Sequence, residues 1–117
     1  MNFERFNYIG FSRTSSSNHK ITDSAAGATA MSCGRKTYNG AVGVFTNKRP
    51  MTTILELAEK NGLATGLVAT CDITHATPAA FIAHQPSRNM YEEIAKDFLA
   101  TDIDLFLGGG LANFNKR

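Results

Sequence analysis

Ile54-Leu55-Glu56-Leu57-Ala58-Glu59-Lys60-Asn61-Gly62 runs straight into Leu63-Ala64-Thr65-Gly66-Leu67-Val68-Ala69-Thr70, and this junction decides the fold class. The first half carries Ile54, Leu55, Leu57 and Ala58 as an apolar stripe at helical spacing, which belongs to a core. Thr52 or Thr53 is placed to cap that helix, and Asn61-Gly62 stops it. In the second half, Gly66-Leu67-Val68-Ala69 is apolar without alternation, as in a parallel strand covered on both faces. Helix, stop and strand make one αβ unit.

Other stretches continue the alternation. A helix is predicted from Ser24 to about Cys33, stopped by Gly34. Residues 35–44 contain Asn39-Gly40 and Gly43 and read as a turn-rich connection, followed by a second loop over 45–50. Pro78 fits the first position of a helix through Ala83, with Thr77 as its cap. Residues 90–100 predict an amphipathic helix with Ile94, Phe98 and Leu99 inward and Glu92, Glu93 and Lys96 outward. Ile103-Asp104-Leu105-Phe106-Leu107 reads as a strand ending in a tight turn at Gly108-Gly109-Gly110, and Asn7-Tyr8-Ile9-Gly10-Phe11 as a buried or edge strand. Residues 13–18 form a polar surface loop. The expected architecture is α/β, a mostly parallel sheet flanked by helices.

Bulk properties exclude several classes. A length of 117 residues allows one small domain, and 43% hydrophobic against 19% charged residues is globular composition. A net charge of +2 is too small to point to nucleic acid or an anionic membrane as partner. Cys33 and Cys71 have no metal-type spacing and make no disulfide framework, so both read as small, partly buried core residues. No run is long enough to span a bilayer. The first residues lack a basic segment followed by an apolar core, so no signal peptide is expected in this chain.

Chemistry concentrates at Thr22-Asp23-Ser24-Ala25-Ala26-Gly27-Ala28-Thr29-Ala30. Asp23-Ser24 opens a run of small residues, as at a helix start whose backbone something must approach. Free N–H groups and the positive end of the helix dipole make such a start an anion site. A serine hydroxyl at that mouth is placed to attack phosphorus. The alternative is that Ser24 only caps an Ala-rich helix. No nearby motif supplies a base for Ser24: His19 precedes it, but there is no Gly-x-Ser-x-Gly elbow, and His19 reads as a loop residue.

The block Asp23-Ser24-Ala25-Ala26-Gly27-Ala28-Thr29-Ala30 resembles the nucleophile signature of the alkaline phosphatase family. The resemblance continues in order through Lys36-Thr37-Tyr38-Asn39-Gly40, Thr74-His75-Ala76-Thr77-Pro78-Ala79-Ala80, Ser87-Arg88-Asn89 and Leu107-Gly108-Gly109-Gly110, across nearly the whole chain. It implies phosphomonoester hydrolysis through a phosphoserine on Ser24, with two zinc ions at the phosphorus and Ser24 also meeting one of them. His75 and Thr77 match the third-metal positions, usually magnesium, and Arg88 matches the arginine that clamps phosphate. Residue chemistry alone leaves Thr77 as a helix cap, His75 as an exposed loop imidazole and Arg88 as a surface arginine. Many members have Asp where this chain has His75, and imidazole favours zinc or cobalt over magnesium, so another divalent ion is possible there. His84 matches no ligand and reads as structural.

The resemblance also implies a periplasmic or extracellular enzyme, commonly a homodimer. Family members are several times longer, with an upstream Gly-Asp-Gly-Met-Gly-type block and downstream Asp and His ligands that this sequence does not contain. Residues 1–117 are therefore expected to be a fragment of a single alkaline phosphatase-like domain, inactive alone. The competing expectation is a non-catalytic truncated module that binds phosphate weakly or only self-associates.

Overall fold

The computed structural model describes residues 2–115. Its helices are α1 (Ser24–Cys33), α2 (Ile54–Lys60), α3 (Ala76–Ala79), α4 (Tyr91–Ala100) and α5 (Leu111–Asn115), with strands β1 (Gly66–Asp72) and β2 (Leu105–Gly109) and a short 3₁₀ turn at Asn2–Arg5. The strands pair in parallel, Gly66 with Leu105 through Val68 with Leu107; the register then shifts so that Asp72 faces Gly109. The connection from β1 to β2 runs through α3 and α4, as a parallel pair requires. This is the expected α/β pattern, as a small and incomplete sheet. No helix among the described residues is long and apolar enough to cross a membrane.

Local signals explain most boundaries. Thr53, rather than Thr52, caps α2: its hydroxyl accepts from Glu56 N at 3.2 Å, and Glu56 Oε2 accepts from Thr53 N at 2.8 Å. That reciprocal box satisfies two otherwise free donors. Gly34 closes α1 in the left-handed conformation, its N–H donating to Ala30 O.

The core gathers Ala25 and Ala28 of α1, Ile73, Ala76, Ala79, Ile82, Ile94 and Phe98, with Leu67, Ala69 and Phe106 of the sheet against it. Alanines on α1 let it lie close to α3, where Ser32 Oγ donates to Ala80 O at 2.5 Å. Phe98, Phe106 and Phe114 form an aromatic trio joining α4, β2 and α5, with Phe106 stacked on Phe114 at 6.0 Å.

Where residues 42–44 pass residues 83–85, Val42 and Gln85 exchange backbone hydrogen bonds. Gly43 has φ +60°, and a Cβ there would lie 2.0 Å from Ala83 O. His84 locks the crossing: Nδ1 lies 2.9 Å from Gly43 O, Nε2 3.1 Å from Glu56 Oε1, and its N–H donates to Asp97 Oδ2 at 2.9 Å.

Several expectations are corrected. Residues 7–11 form no strand: Tyr8, Ile9 and Phe11 are exposed, because β-forming residues without a partner strand gain nothing from extending. Strand β1 is covered on one face only; Val68 is 73% exposed, while Leu67 and Ala69 face the core. Leu99 points outward and Ala95 takes the inner position beside Ile94 and Phe98. Helix α3 begins two residues before Pro78, so His75 and not Thr77 stands at its N-cap, without a side-chain hydrogen bond. Gly108 and Gly109 belong to β2, and the turn falls at Gly110. Cys71 is exposed rather than partly buried, whereas Cys33 is half-buried as expected.

Candidate functional site

At the start of α1 the cap is Asp23, whose Oδ1 accepts from Ala26 N at 2.9 Å. Ser24 is thus freed from capping and stands exposed at the first helical position. The other Asp23 oxygen accepts from Gly40 N at 3.0 Å and from Arg88 Nη1 at 3.2 Å. Burial, the largest single influence, pushes the Asp23 carboxyl up. The N–H groups of Ala26 and Gly40, together with the Arg88 guanidinium, outweigh it and hold the carboxyl below its ordinary value.

Arg88 is the meeting point of the site. Its Nη1 also donates to Ser24 Oγ at 2.8 Å, and Nη2 lies 3.3 Å from His75 Nε2. A guanidinium has donors only, so His75 Nε2 is the acceptor in that contact. The sequence-predicted residues Ser24, Arg88 and His75 are therefore brought together. Thr77, exposed on α3, lines the same shallow groove of about 320 Å³ with Thr22, Asp23, Ser24, Gly27, Ala28 and Met31. A more enclosed cavity of about 270 Å³ lies between residues 12–16 and α1 and includes none of these four residues.

The arrangement suits an oxyanion. Arg88 can turn its donors to two phosphate oxygens while Asp23 holds the guanidinium in place. The opening N–H groups of α1 add positive potential beside the Ser24 hydroxyl. Among the described residues, no group of three or more His, Cys, Asp or Glu side chains could hold a metal ion. His75, Thr77 and Ser24 alone do not make a complete metal centre.

Sequence reasoning passed over Asp23 as the holder of Arg88, since the two are 65 positions apart. The only local signal was the Asp-Ser start of a small-residue helix. Tyr38-Asn39-Gly40 entered only as part of the resemblance, without the role that the Gly40 N–H has in completing the Asp23 carboxylate.

The alkaline phosphatase family model matches residues 1–117. Alkaline phosphatase of Schizosaccharomyces pombe is 54% identical over 111 residues, covering 91% of this chain and 21% of that protein. Alkaline phosphatase 3 of Bacillus subtilis is 50% identical over 103 residues, covering 83% and 22%. Alkaline phosphatase from the Antarctic bacterium TAB5 superposes with a TM-score of 0.91 at 52% identity, over 99% of this chain and 34% of its own. A histidine-to-aspartate variant of the TAB5 enzyme, with magnesium bound in its M3 site, superposes equally well. The chain spans about a fifth of the length of the two curated relatives and about a third of the solved enzyme. A match running through every residue, on a fold shared with a solved member, leaves one conclusion: the chain belongs to the alkaline phosphatase family.

Proposed function

We propose that this chain supplies the nucleophile and the phosphate clamp of a phosphomonoester hydrolase, acting within a longer protein. The observation that carries this reading is the 2.8 Å hydrogen bond from Arg88 Nη1 to Ser24 Oγ, at an anion-favouring helix start. Ser24 Oγ forms a bond to phosphorus as the ester P–O bond breaks and the alcohol leaves. Water then cleaves the phosphoserine and restores the hydroxyl. Arg88 binds the equatorial oxygens through both steps, and Asp23 keeps the guanidinium aimed.

Zinc and a third divalent ion belong to the same proposal. Such ions, when bound, lower the pKa of a coordinated hydroxyl or water. His75 and Thr77 would contribute to the third site, with the remaining ligands coming from outside the described residues. The TAB5 variant with histidine changed to aspartate holds magnesium in its M3 site, which supports a third divalent-ion site in this proposal. With only this partial ligand set, the chain by itself is expected not to catalyse the reaction.

The test is acid quenching of a full-length enzyme carrying this segment during turnover of a radiolabelled phosphomonoester. Label should appear on the Ser24 peptide and vanish in Ser24→Ala. Turnover that survives that substitution, or label on another residue, overturns the reading.

A further inference from the structure

The turn Tyr38-Asn39-Gly40 is bonded to both halves of the candidate site, although none of the three lines the groove at Ser24. On the nucleophile side, Asn39 Oδ1 accepts from Asp23 N at 3.1 Å and Asn39 Nδ2 donates to Ile21 O at 3.0 Å. Gly40 N donates to the Asp23 carboxylate. On the clamp side, the Tyr38 hydroxyl donates to Pro86 O at 2.8 Å, and Arg88 N donates to Gly40 O at 2.7 Å. Three consecutive residues thus grip the backbone on both sides of a contact whose members lie 64 positions apart.

We infer that Tyr38 and Asn39 are positioning residues: by tying the Ile21–Asp23 and Pro86–Arg88 segments to one turn, they set the Ser24–Arg88 spacing. The inference rests on the phosphomonoesterase reading for its consequence, since affinity for a phosphoryl group follows from that spacing. Misplacement by a fraction of an ångström is costly where a nucleophile and a bound group must align. A β-turn alone would be soft. Here side chains brace it from both ends, and Asn18 Oδ1 accepts from Asn39 N at 3.0 Å as an outer support. Burial pushes the Tyr38 phenol above its ordinary value, so its hydroxyl remains a donor into more alkaline solution than a free phenol would.

Tyr38→Phe removes one hydroxyl and little else. In a full-length enzyme carrying this segment, it should weaken inhibition by inorganic phosphate about fivefold, the order of one net hydrogen bond. In an Arg88→Ala background the same change should have no further effect on phosphate inhibition. Asn39→Ala, acting on the Ser24 side, should lower kcat more than it raises KM. The side-chain ¹⁵N signal of Arg88, recorded without phosphate, reads the clamp's position directly and should shift in Tyr38→Phe. An unmoved Arg88 signal, or equal loss of phosphate inhibition with and without Arg88, overturns the inference and leaves the turn as a general fold support. A shifted signal in an enzyme that binds no phosphate would uphold the bracket and sink the phosphomonoesterase reading.

Discussion

Arg88 reaches Ser24 across 64 positions of chain, with Nη1 donating to the serine Oγ at 2.8 Å. Under the proposed function this contact joins the clamp to the nucleophile, and a phosphoryl group would enter beside a guanidinium already aimed at Ser24.

Arg88→Ala in a full-length enzyme should weaken inorganic phosphate inhibition by about 10- to 100-fold, from about 1.5–3 kcal/mol for charge-assisted hydrogen bonds. Turnover should fall without disappearing. Inhibition constants for phosphate check this; an unchanged constant would make Arg88 a surface residue.

The chain on its own should not turn over an activated aryl phosphate, even with zinc and magnesium added. The motivation is the partial ligand set, since no cluster of three metal-ligating side chains occurs among the described residues. Metal-dependent release of the aryl alcohol, abolished by Ser24→Ala, would refute this.

His75→Asp should move the metal preference of a full-length enzyme toward magnesium, because an anionic oxygen suits a hard octahedral cation and imidazole a borderline one. Nε2 of His75 now faces Arg88 Nη2 at 3.3 Å, so the aspartate also gains a nearby cation. Metal add-back after chelation compares the variants. An identical response to magnesium, zinc and cobalt means position 75 does not meet the metal.

Glu56 should contribute to acid sensitivity. Burial, its largest influence, pushes the carboxyl up, but the Thr53 N–H, His84 and the Thr53 hydroxyl together hold it below its ordinary value of 4.5. A depressed carboxyl stabilises the fold fully above that ordinary value and loses its contribution as pH falls through the lower folded value. Glu56→Ala should therefore cost about 1 kcal/mol at neutral pH, through the lost helix cap and His84 contact. The gap to wild type in denaturant curves should shrink as pH falls from 4.5 through the lower folded value. Parallel curves at every pH would contradict the assignment.

The open sheet face should drive self-association of the chain. Val68, Leu105 and Leu107 are 73%, 51% and 55% exposed on neighbouring parallel strands. Sedimentation should depend on concentration, and Val68→Lys should suppress that dependence. A strictly monomeric wild type would mean this face is tolerated in water.

Elements with strong local signals were legible in the sequence. Gly34 stops α1 and the Thr53–Glu56 pair starts α2, each through groups within a few residues. Asn7 to Phe11 misled because β propensity expresses packing against a partner, and none is present among the described residues. Thr77 misled because Pro at the third helical position is as harmless as at the first: neither N–H would have an intrahelical partner. Ser24, His75, Thr77 and Arg88 were reached through the resemblance, and the structure gathers them around one groove and one guanidinium. The bracing contacts of Asp23 and Tyr38 were not legible, because their partners lie 65 and 48 positions distant.

The crossing at Gly43 constrains how this chain can drift in sequence. A single methyl at position 43 would meet the Ala83 carbonyl at 2.0 Å, on a backbone that L residues seldom adopt. In a saturation library, position 43 should therefore be nearly monomorphic. His84 should vary only in step with Glu56, its ring partner on α2. Two segments separated by 41 positions are in this way bound into one unit of inheritance, through a residue with no side chain at all.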